Sequence, residues 1–177
     1  MSKEKVKIGL TGGIGSGKTF VSAIFCKLDI PVFNADSEAK SCMANNESLK
    51  EKIQYVFGEE IYKDGLLQNK VLANIVFSNC QKLEALNKIV HPFVNQSFDN
   101  WVAKQNSKIV IKEAAILFES GSHLTLDKVI CVSAPERTRI ERVVKRESIS
   151  REQVVARIKM QIPQNKKEKL SDFVIIN

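Results

Sequence analysis

The sequence lacks the features of a secreted or membrane-spanning protein. It holds no apolar run approaching the ~20 residues that a helix needs to cross a bilayer. The N-terminal residues are mostly charged or polar and lead directly into a short apolar stretch, with no apolar signal region between them. We therefore expect a soluble, cytoplasmic protein that has no membrane partner.

Cysteine is too sparse and too widely spaced to indicate a metal site or a disulfide framework. The four cysteines are Cys26, Cys42, Cys80 and Cys131, and no two of them are close in the sequence. Most have apolar neighbours, as structural free thiols usually do. The sequence therefore predicts buried free thiols in a protein of a reducing compartment.

Aromatic residues are also scarce, at 7% of the chain, and they are not interleaved with the basic residues. Proteins that bind single-stranded nucleic acid usually combine a basic groove with stacking aromatic side chains. The formal net charge of +7 nevertheless favours an anionic ligand. We predict no nucleic-acid partner, and nucleic-acid binding is the alternative that the charge alone leaves open.

One glycine-rich stretch predicts a phosphate-binding loop. It matches the pattern G-x-x-x-x-G-K-[ST] and lies between an apolar strand and an amphipathic helix, as that motif requires. Glycines allow the turns that aim several backbone N–H groups at a phosphate chain, and the helix N-terminus adds a favourable dipole. The residues that we expect to bind ATP are Gly12, Gly13, Ile14, Gly15, Ser16, Gly17, Lys18 and Thr19.

Two side chains of the loop have roles that its chemistry predicts. The Lys18 ammonium can reach the β- and γ-phosphates of a nucleoside triphosphate. The Thr19 hydroxyl can ligate the Mg²⁺ that accompanies the triphosphate. The sequence therefore predicts ATP as a ligand and Mg²⁺ as a cofactor.

Apolar runs bounded by turns alternate with helical patterns, which indicates a parallel sheet covered by helices. The predicted strands lie at residues 6–10, 108–113, 128–132 and 173–176, and residues 29–33 are predicted to form a turn and a further short strand that ends at Asn34-Ala35-Asp36. Between residues 36 and 108 we find no clear strand, only predicted helices at residues 37–55, 70–77 and 81–105. The 177 residues therefore suit one α/β domain with a helical insertion.

Several local signals refine this organisation. Pro92 should bend or break the helix that contains it. Ser150 and Gln153 form a potential capping box that opens a helix reaching Met160. The lysine-rich stretch at residues 166–169 is most simply solvated.

The helix predicted after Pro135 is rich in arginine. Arg139, Arg142 and Arg146 are spaced i, i+3 and i+7 and therefore share one face. Like charges at such spacings repel one another, and a bound anion would offset that repulsion. Because the same chain carries a phosphate loop, we favour a phosphate-binding face over a solvated basic face.

The phosphate loop alone does not distinguish GTPases, ATPases and small-molecule kinases. The chain has neither an N-K-x-D sequence, which reads guanine in GTPases, nor a D-x-x-G switch sequence. Its small size, helical insertion and arginine-bearing helix favour a kinase that closes a lid over its substrates.

The phosphate loop together with Asn34-Ala35-Asp36 resembles the opening of dephospho-CoA kinases. The loop is shared widely, but an ordered set of further segments, covering essentially the whole chain, is distinctive. Those segments are Asp64-Gly65, Leu72-Ala73, Val76-Phe77, Leu86-Asn87-Lys88-Ile89-Val90-His91-Pro92, Ile116-Leu117-Phe118-Glu119, Asp127-Lys128-Val129, Ala134-Pro135-Glu136, Arg142, Arg146, Arg157, Gln161 and Asp172-Phe173-Val174-Ile175-Ile176-Asn177.

Members of that family use ATP to phosphorylate the ribose 3′-hydroxyl of dephospho-CoA, the last step of coenzyme A biosynthesis. The resemblance implies a three-layer α/β fold of the P-loop kinase type, with a parallel central sheet, a helical substrate-binding insertion and an arginine-bearing lid. We expect the nucleotide-binding core at residues 1–36 and 107–177, with the lid at about 136–160, and a CoA-binding insertion at 37–106.

The resemblance also implies roles for particular residues. Arg142 and Arg146 would close over the triphosphate, beside Lys18 and Mg²⁺. Asp36 would act as the base for the 3′-hydroxyl, and the alternative is that it caps the following helix. The remaining expected contacts are Asn177 with ATP, and His91 and Glu119 with the substrate.

Some positions keep alternatives open. His91 and Glu119 can equally be structural, and Glu113 is either a Walker-B-like acid that holds Mg²⁺ through water or a solvated strand end. Three residues depart from the family pattern, namely Asn34, Asn69 and Ala115. Family members usually continue past the final asparagine into another helix, so we expect the chain to be truncated or naturally short.

The competing functions are of two classes. One is another small P-loop kinase, acting on a nucleoside monophosphate or a sugar-like alcohol. The other is a non-catalytic regulator that depends on nucleotide. The sequence does not indicate an oligomeric state, and the default expectation is a monomer that binds ATP and dephospho-CoA.

Overall fold

The chain forms two compact units, Met1–Asn34 with Val102–Asn177 and Ala35–Trp101. The structure is a computed structural model that describes residues 5–77 and 79–177. Residues 1–4, which the sequence places directly before the first strand, lie outside the described residues. The sequence placed the domain boundaries at 36/37 and 106/107, and the CoA-binding role of the second unit stays a prediction.

The first unit is built on a five-stranded parallel sheet. Its strands occur in the order β2-β5-β1-β6-β7, and every neighbouring pair is parallel. The strands are β1 Val6–Thr11, β2 Val32–Asn34, β5 Ile109–Glu113, β6 Lys128–Ser133 and β7 Phe173–Ile176. The predicted parallel α/β fold is therefore confirmed.

Helices cover this sheet because their apolar faces need burial. Helix α1 (Lys18–Lys27) buries Val21 in one cluster with Leu10, Ile111 and Val132. A second cluster joins α6 (Glu136–Glu147) to α7 (Arg151–Lys159) through Ile140, Val143 and Val154. The last helix of the unit is α8 (Gln164–Leu170).

The predicted capping box at the start of α7 is confirmed. The backbone N–H of Gln153 donates to the Ser150 hydroxyl, and the Ser150 N–H donates to the Gln153 carboxamide at 3.0 Å. Each side chain thus satisfies a backbone donor that the helix leaves without a partner.

The second unit is mainly helical but contains a small hairpin that the sequence analysis missed. It comprises α2 (Ala35–Asn45), α3 (Glu47–Phe57), a 3₁₀ turn (Glu59–Ile61), β3 (Tyr62–Lys63), β4 (Leu66–Leu67), α4 (Asn69–Phe77) and most of α5 (Cys80–Ala103). Asp64 and Gly65 join β3 to β4 with φ of 50° and 75°. Two successive positive φ angles suit the tight turn of a two-residue hairpin.

Two predicted helix boundaries in this unit are wrong. The single helix expected at residues 37–55 is two helices, because the Asn46 side chain accepts the Leu49 N–H and caps α3. Pro92 does not interrupt α5, which runs continuously from Cys80 to Ala103. Pro92 is exposed, so water can reach the carbonyl that lacks its N–H partner, while buried Val90 and Val94 hold the helix on either side.

The cysteines follow the prediction in part. Cys42 and Cys131 are buried free thiols, and burial raises the pKa of both. Cys26 is exposed on α1, so the prediction of a buried thiol is wrong there. The side chain of Cys80 lies outside the described residues. Among the helices that the structure describes, none combines the length and hydropathy needed to span a bilayer.

The stretch at residues 166–169 belongs to helix α8, and the prediction that it is solvated holds for Lys166 and Lys169 but is wrong for Lys167. Lys167 is fully buried. Its ammonium group lies 2.8 Å from the Glu119 carboxylate and donates to the Ala115 carbonyl at 2.6 Å. Spacing within a short charged run gives no sign of which lysine turns inward, because the partner lies 48 residues earlier in the chain.

We expect Lys167→Met to lower the free energy of unfolding by about 3 kcal/mol, because it leaves the largely buried Glu119 carboxylate without its cation. Lys166→Met and Lys169→Met are the matched controls, since both lysines are exposed on the same helix. Each control should change stability by less than about 0.5 kcal/mol in urea denaturation.

The double variant Lys167→Met/Glu119→Gln should recover most of the loss, because it removes both charges and keeps an oxygen acceptor on residue 119. A Lys167→Met protein as stable as the two controls would show that the buried pair does not hold α8 in place.

Candidate active site

The phosphate loop connects the end of β1 to the start of α1. Gly15 and Gly17 have φ of 78° and 98°, which L-residues with side chains rarely adopt. Gly17 also occupies the N-cap position of α1. The loop therefore leads directly into the helix N-terminus, where the N–H groups and the dipole favour anions.

Neighbouring elements approach the loop glycines so closely that little room is left for a side chain at these positions. A Cβ atom on Gly15 would lie 2.4 Å from the backbone oxygen of Arg139, and one on Gly17 would lie 2.0 Å from the Asn177 side-chain nitrogen. Both distances are far below van der Waals contact. At Gly15 glycine is therefore required by the neighbouring backbone as well as by its φ, whereas at Gly17 the requirement rests on φ, because the Asn177 side chain can move.

The loop amides divide into two groups. The N–H groups of Gly13, Ile14 and Ser16 donate to the Gln164 side chain, the Gln161 side chain and the Gly13 carbonyl. For the amides of Gly15 and Gly17, no protein acceptor is found within residues 5–77 and 79–177. The amides of Gly15 and Gly17 thus offer the donors that a phosphate group needs.

Two other polar groups shape the loop. The Lys18 ammonium donates to the Gly12 carbonyl at 2.9 Å, so the side chain folds back over the loop. Asn177 braces the loop from β7, since its side chain donates to the Ser16 carbonyl at 2.9 Å and its N–H donates to the Ser133 carbonyl at 2.8 Å. Direct contact between Asn177 and ATP stays a prediction.

The three arginines predicted to share one face have different environments. Arg139 is only 4% exposed, and burial lowers the pKa of its guanidinium. The exposed Arg142 points at the phosphate loop, with its guanidinium 3.5 and 3.4 Å from the carbonyls of Gly15 and Ser16. Sequence spacing placed Arg139 on the same face but could not show that it is buried.

Arg146 is engaged within the lid helices. It forms an ion pair with Glu147, which also pairs with Arg157 of α7. The hydrogen bond from Arg146 is the main reason that the pKa of Glu147 lies below its ordinary value.

A buried carboxylate lies at the carboxyl end of β5. Glu113 is 5% exposed, so its interpretation as a solvated strand end is wrong. It accepts a hydrogen bond from the Ser22 hydroxyl on α1 at 2.9 Å and one from the Asn34 side chain on β2 at 3.2 Å. Asn34, which departs from the family pattern, therefore helps to orient this carboxylate.

The residues fit a magnesium ion that is held mainly by phosphate oxygens. Thr19 is exposed in the first turn of α1, and Glu113 ends the adjacent stretch of sheet. In the part of the chain that the structure describes, no cluster of three or more His, Cys, Asp or Glu side chains could hold a metal by itself. Mg²⁺ typically takes one or two protein ligands and keeps water and substrate phosphates around it.

The remaining predicted residues are placed as follows. Asp36 is exposed in the first turn of α2, two residues after β2 ends. Because α2 begins at Ala35, Asp36 lies inside the helix and is not the cap of a helix starting at Ser37. His91 is half-buried on α5. The Glu119 carboxylate accepts the Ile162 N–H at 2.9 Å and pairs with Lys167.

Comparison with known proteins decides between the kinase classes. A family model described as dephospho-CoA kinase (CoaE) matches residues 6–177. This chain belongs to the dephospho-CoA kinase family. A dephospho-CoA kinase of Chlorobium chlorochromatii is 40% identical over 185 residues, which cover 99% of this chain and 87% of the relative.

Solved structures agree with that family. A Thermus thermophilus structure matches with a TM-score of 0.88 and 34% identity, covering 99% of this chain and 90% of that one. A dephospho-CoA kinase from Campylobacter jejuni matches with a TM-score of 0.66 and 28% identity, covering 97% and 87%. Both the P-loop kinase fold and the resemblance to dephospho-CoA kinases are confirmed.

Gly15→Ala should weaken ATP binding at least about 100-fold, because both the positive φ and the Arg139 carbonyl oppose a methyl group. Gly121→Ala is the matched control, since Gly121 has a φ of 69° and no atom lies within 4 Å of the added Cβ. The control should lose about 1 kcal/mol of stability and keep its affinity.

Isothermal titration calorimetry with ATP and thermal unfolding of both variants separate these effects. Equal ATP affinities for Gly15→Ala and Gly121→Ala would mean that the close approach of α6 does not shape the phosphate site.

Proposed function

We propose that this chain is a dephospho-CoA kinase, which transfers the terminal phosphoryl group of ATP to the ribose 3′-hydroxyl of dephospho-CoA and yields coenzyme A and ADP. The observation that carries the proposal is a phosphate loop, in a chain of that family, whose Gly15 and Gly17 amides have no acceptor among residues 5–77 and 79–177. Positioning and charge neutralisation are the main requirements of phosphoryl transfer.

The loop supplies most of that charge neutralisation. The amides of Gly15 and Gly17 would hold the β- and γ-phosphates in place before reaction. Lys18 would exchange its bond with the Gly12 carbonyl for phosphate oxygens, which accept a charged donor more strongly. Donors fixed in advance where charge develops lower the barrier without reorganisation at the moment of reaction.

Thr19 would hold Mg²⁺ through its hydroxyl, and Glu113 would bind a water of the ion. The ion, when bound, neutralises charge on the β- and γ-phosphates. The hydrogen bonds from Ser22 and Asn34 fix the direction of the Glu113 carboxylate, so its acceptor lone pairs are oriented in advance.

The lid arginines would act on the triphosphate. Arg142 already lies against the loop carbonyls and needs only a side-chain movement to meet phosphate oxygens. Its planar guanidinium suits two such oxygens at once. Arg146, on the same helix, would join it.

Asp36 would accept or orient the proton of the 3′-hydroxyl. Its carboxylate is exposed and follows directly from β2, at the carboxyl end of a parallel sheet, where ligands of such sheets bind. His91 would contact the acceptor from the helical unit. We assign Glu119 chiefly to holding α8 and the turn before it, since Lys167 and the Ile162 N–H both contact Oε1 of its carboxylate.

The acceptor can be tested directly by measuring ADP release with dephospho-CoA, AMP, adenosine and shikimate at matched concentrations. Dephospho-CoA should have by far the highest kcat/KM. Binding of its long 5′ arm would help to position the reacting hydroxyl and so lower the barrier to transfer. The truncated acceptors should therefore lose kcat as well as affinity. Equal or better turnover of AMP would leave only a generic P-loop kinase.

Asp36→Asn should lower kcat by at least about 100-fold with ATP affinity preserved, because the amide is nearly isosteric but cannot take a proton. Asp29→Asn is the control, since Asp29 is exposed in a turn with a φ of 57° that asparagine tolerates equally well. A loss of less than about tenfold for Asp36→Asn would assign this carboxylate to positioning alone, because general bases contribute more.

A further inference from the structure

The turn between α7 and α8 is bonded directly to the phosphate loop. The Gln161 carboxamide accepts the Ile14 N–H at 3.0 Å, and the Gln164 carboxamide accepts the Gly13 N–H at 2.8 Å. Both glutamines lie outside the phosphate-loop motif, 147 and 151 residues further along the chain. We call residues 161–164 the glutamine turn.

The Gln164 carboxamide has a fixed orientation and is fully used. Its oxygen must face the Gly13 N–H, which is a donor. Its nitrogen then donates to the Val132 carbonyl at 3.2 Å and to the Glu168 carboxylate at 3.2 Å, with the Cys131 sulfur at 3.3 Å. Gly13 is thereby connected to the end of β6 and to α8 through one side chain.

The glutamine turn is itself anchored. The Ile162 N–H donates to the Glu119 carboxylate at 2.9 Å, and the same oxygen pairs with the buried Lys167. A turn held at its backbone by a buried ion pair can support the carboxamides on either side of it.

The Arg139 guanidinium also approaches Gly13. A Cβ atom on Gly13 would collide with the Arg139 guanidinium and would lie 2.9 Å from the Gln164 oxygen. These two side chains therefore occupy the space that a side chain on Gly13 would need. The first half of the loop has both its donors and its space taken by protein, while the amides of Gly15 and Gly17 have no protein acceptor in the described residues.

We infer that Gln161 and Gln164 are positioning residues for the nucleotide. By fixing Gly13 and Ile14, they hold the loop in the shape that points the later amides at the phosphates before ATP arrives. A preformed site avoids the cost of ordering the loop upon binding. Displacement of Gln164 by phosphate would instead break every hydrogen bond of its carboxamide.

The inference rests on ATP binding at the loop, not on the identity of the acceptor. Gln161→Met and Gln164→Met keep the side-chain length and remove the oxygen acceptor. Each should raise the Kd for ADP about tenfold, in line with a lost hydrogen bond that leaves a partly buried donor without a partner. In the kinase assay, the KM for ATP should rise, with the KM for dephospho-CoA unchanged within about twofold.

Gln153→Met is the matched control. Its carboxamide accepts the Ser150 N–H at 3.0 Å, the distance found for Gln161 and Ile14, but at the other end of α7 and away from the loop. This variant should lose stability in thermal unfolding to a similar degree as Gln161→Met and bind ADP within about twofold of the parent.

Two outcomes would overturn the inference. ADP affinity unchanged in Gln161→Met, with a lowered melting temperature, would assign the glutamine to stability alone. Tighter ADP binding would show that the carboxamides compete with phosphate for the loop. If Gln164→Met fails to fold, Gln161→Met decides, because it leaves the Gln164 bonds to β6 intact. ADP titration is independent of any acceptor, so a failed acceptor assay does not affect this test.

Discussion

Close approach between the phosphate loop and its neighbours is the constraint on which the site depends. The backbone of α6 reaches Gly15 and the side chain of Asn177 reaches Gly17 at distances that exclude a Cβ atom. Because Gly15 and Gly17 have no side chains, the loop exposes backbone amides at positions where side chains would otherwise lie. The same closeness makes the lid helix α6 part of the wall of the phosphate site.

Charged and neutral polar side chains contact different parts of this loop. Arg139, buried against Gly13, and Arg142, exposed beside Gly15 and Ser16, supply positive charge from a single helix. The carboxamides at positions 161 and 164 supply neutral acceptors to the amides that face protein. A phosphate group placed at this loop would meet cations and the Gly15 and Gly17 amides, which have no acceptor among the residues that the structure describes.

Sequence patterns predicted the five strands of the main sheet, the capping box and the parallel arrangement, but they failed where long-range packing decides. Pro92 stays inside a continuous helix because the apolar residues beside it are buried. Its own side of the helix is exposed, so water can reach the carbonyl that lacks an N–H partner. Glu113 and Lys167 were interpreted as potentially solvated, yet each is buried by partners from distant elements. Asn46 caps a helix that periodicity alone had joined to its neighbour.

The sequence by itself determined the phosphate loop, the nucleotide class and the family, because these depend on local φ angles, helix N-terminal geometry and an ordered set of motifs. Only the tertiary structure decided which arginine is buried, which lysine pairs with Glu119, and that Gln161 and Gln164 support the loop. Those contacts join residues about 50 to 150 positions apart, and no local propensity encodes which polar side chain will meet which backbone donor.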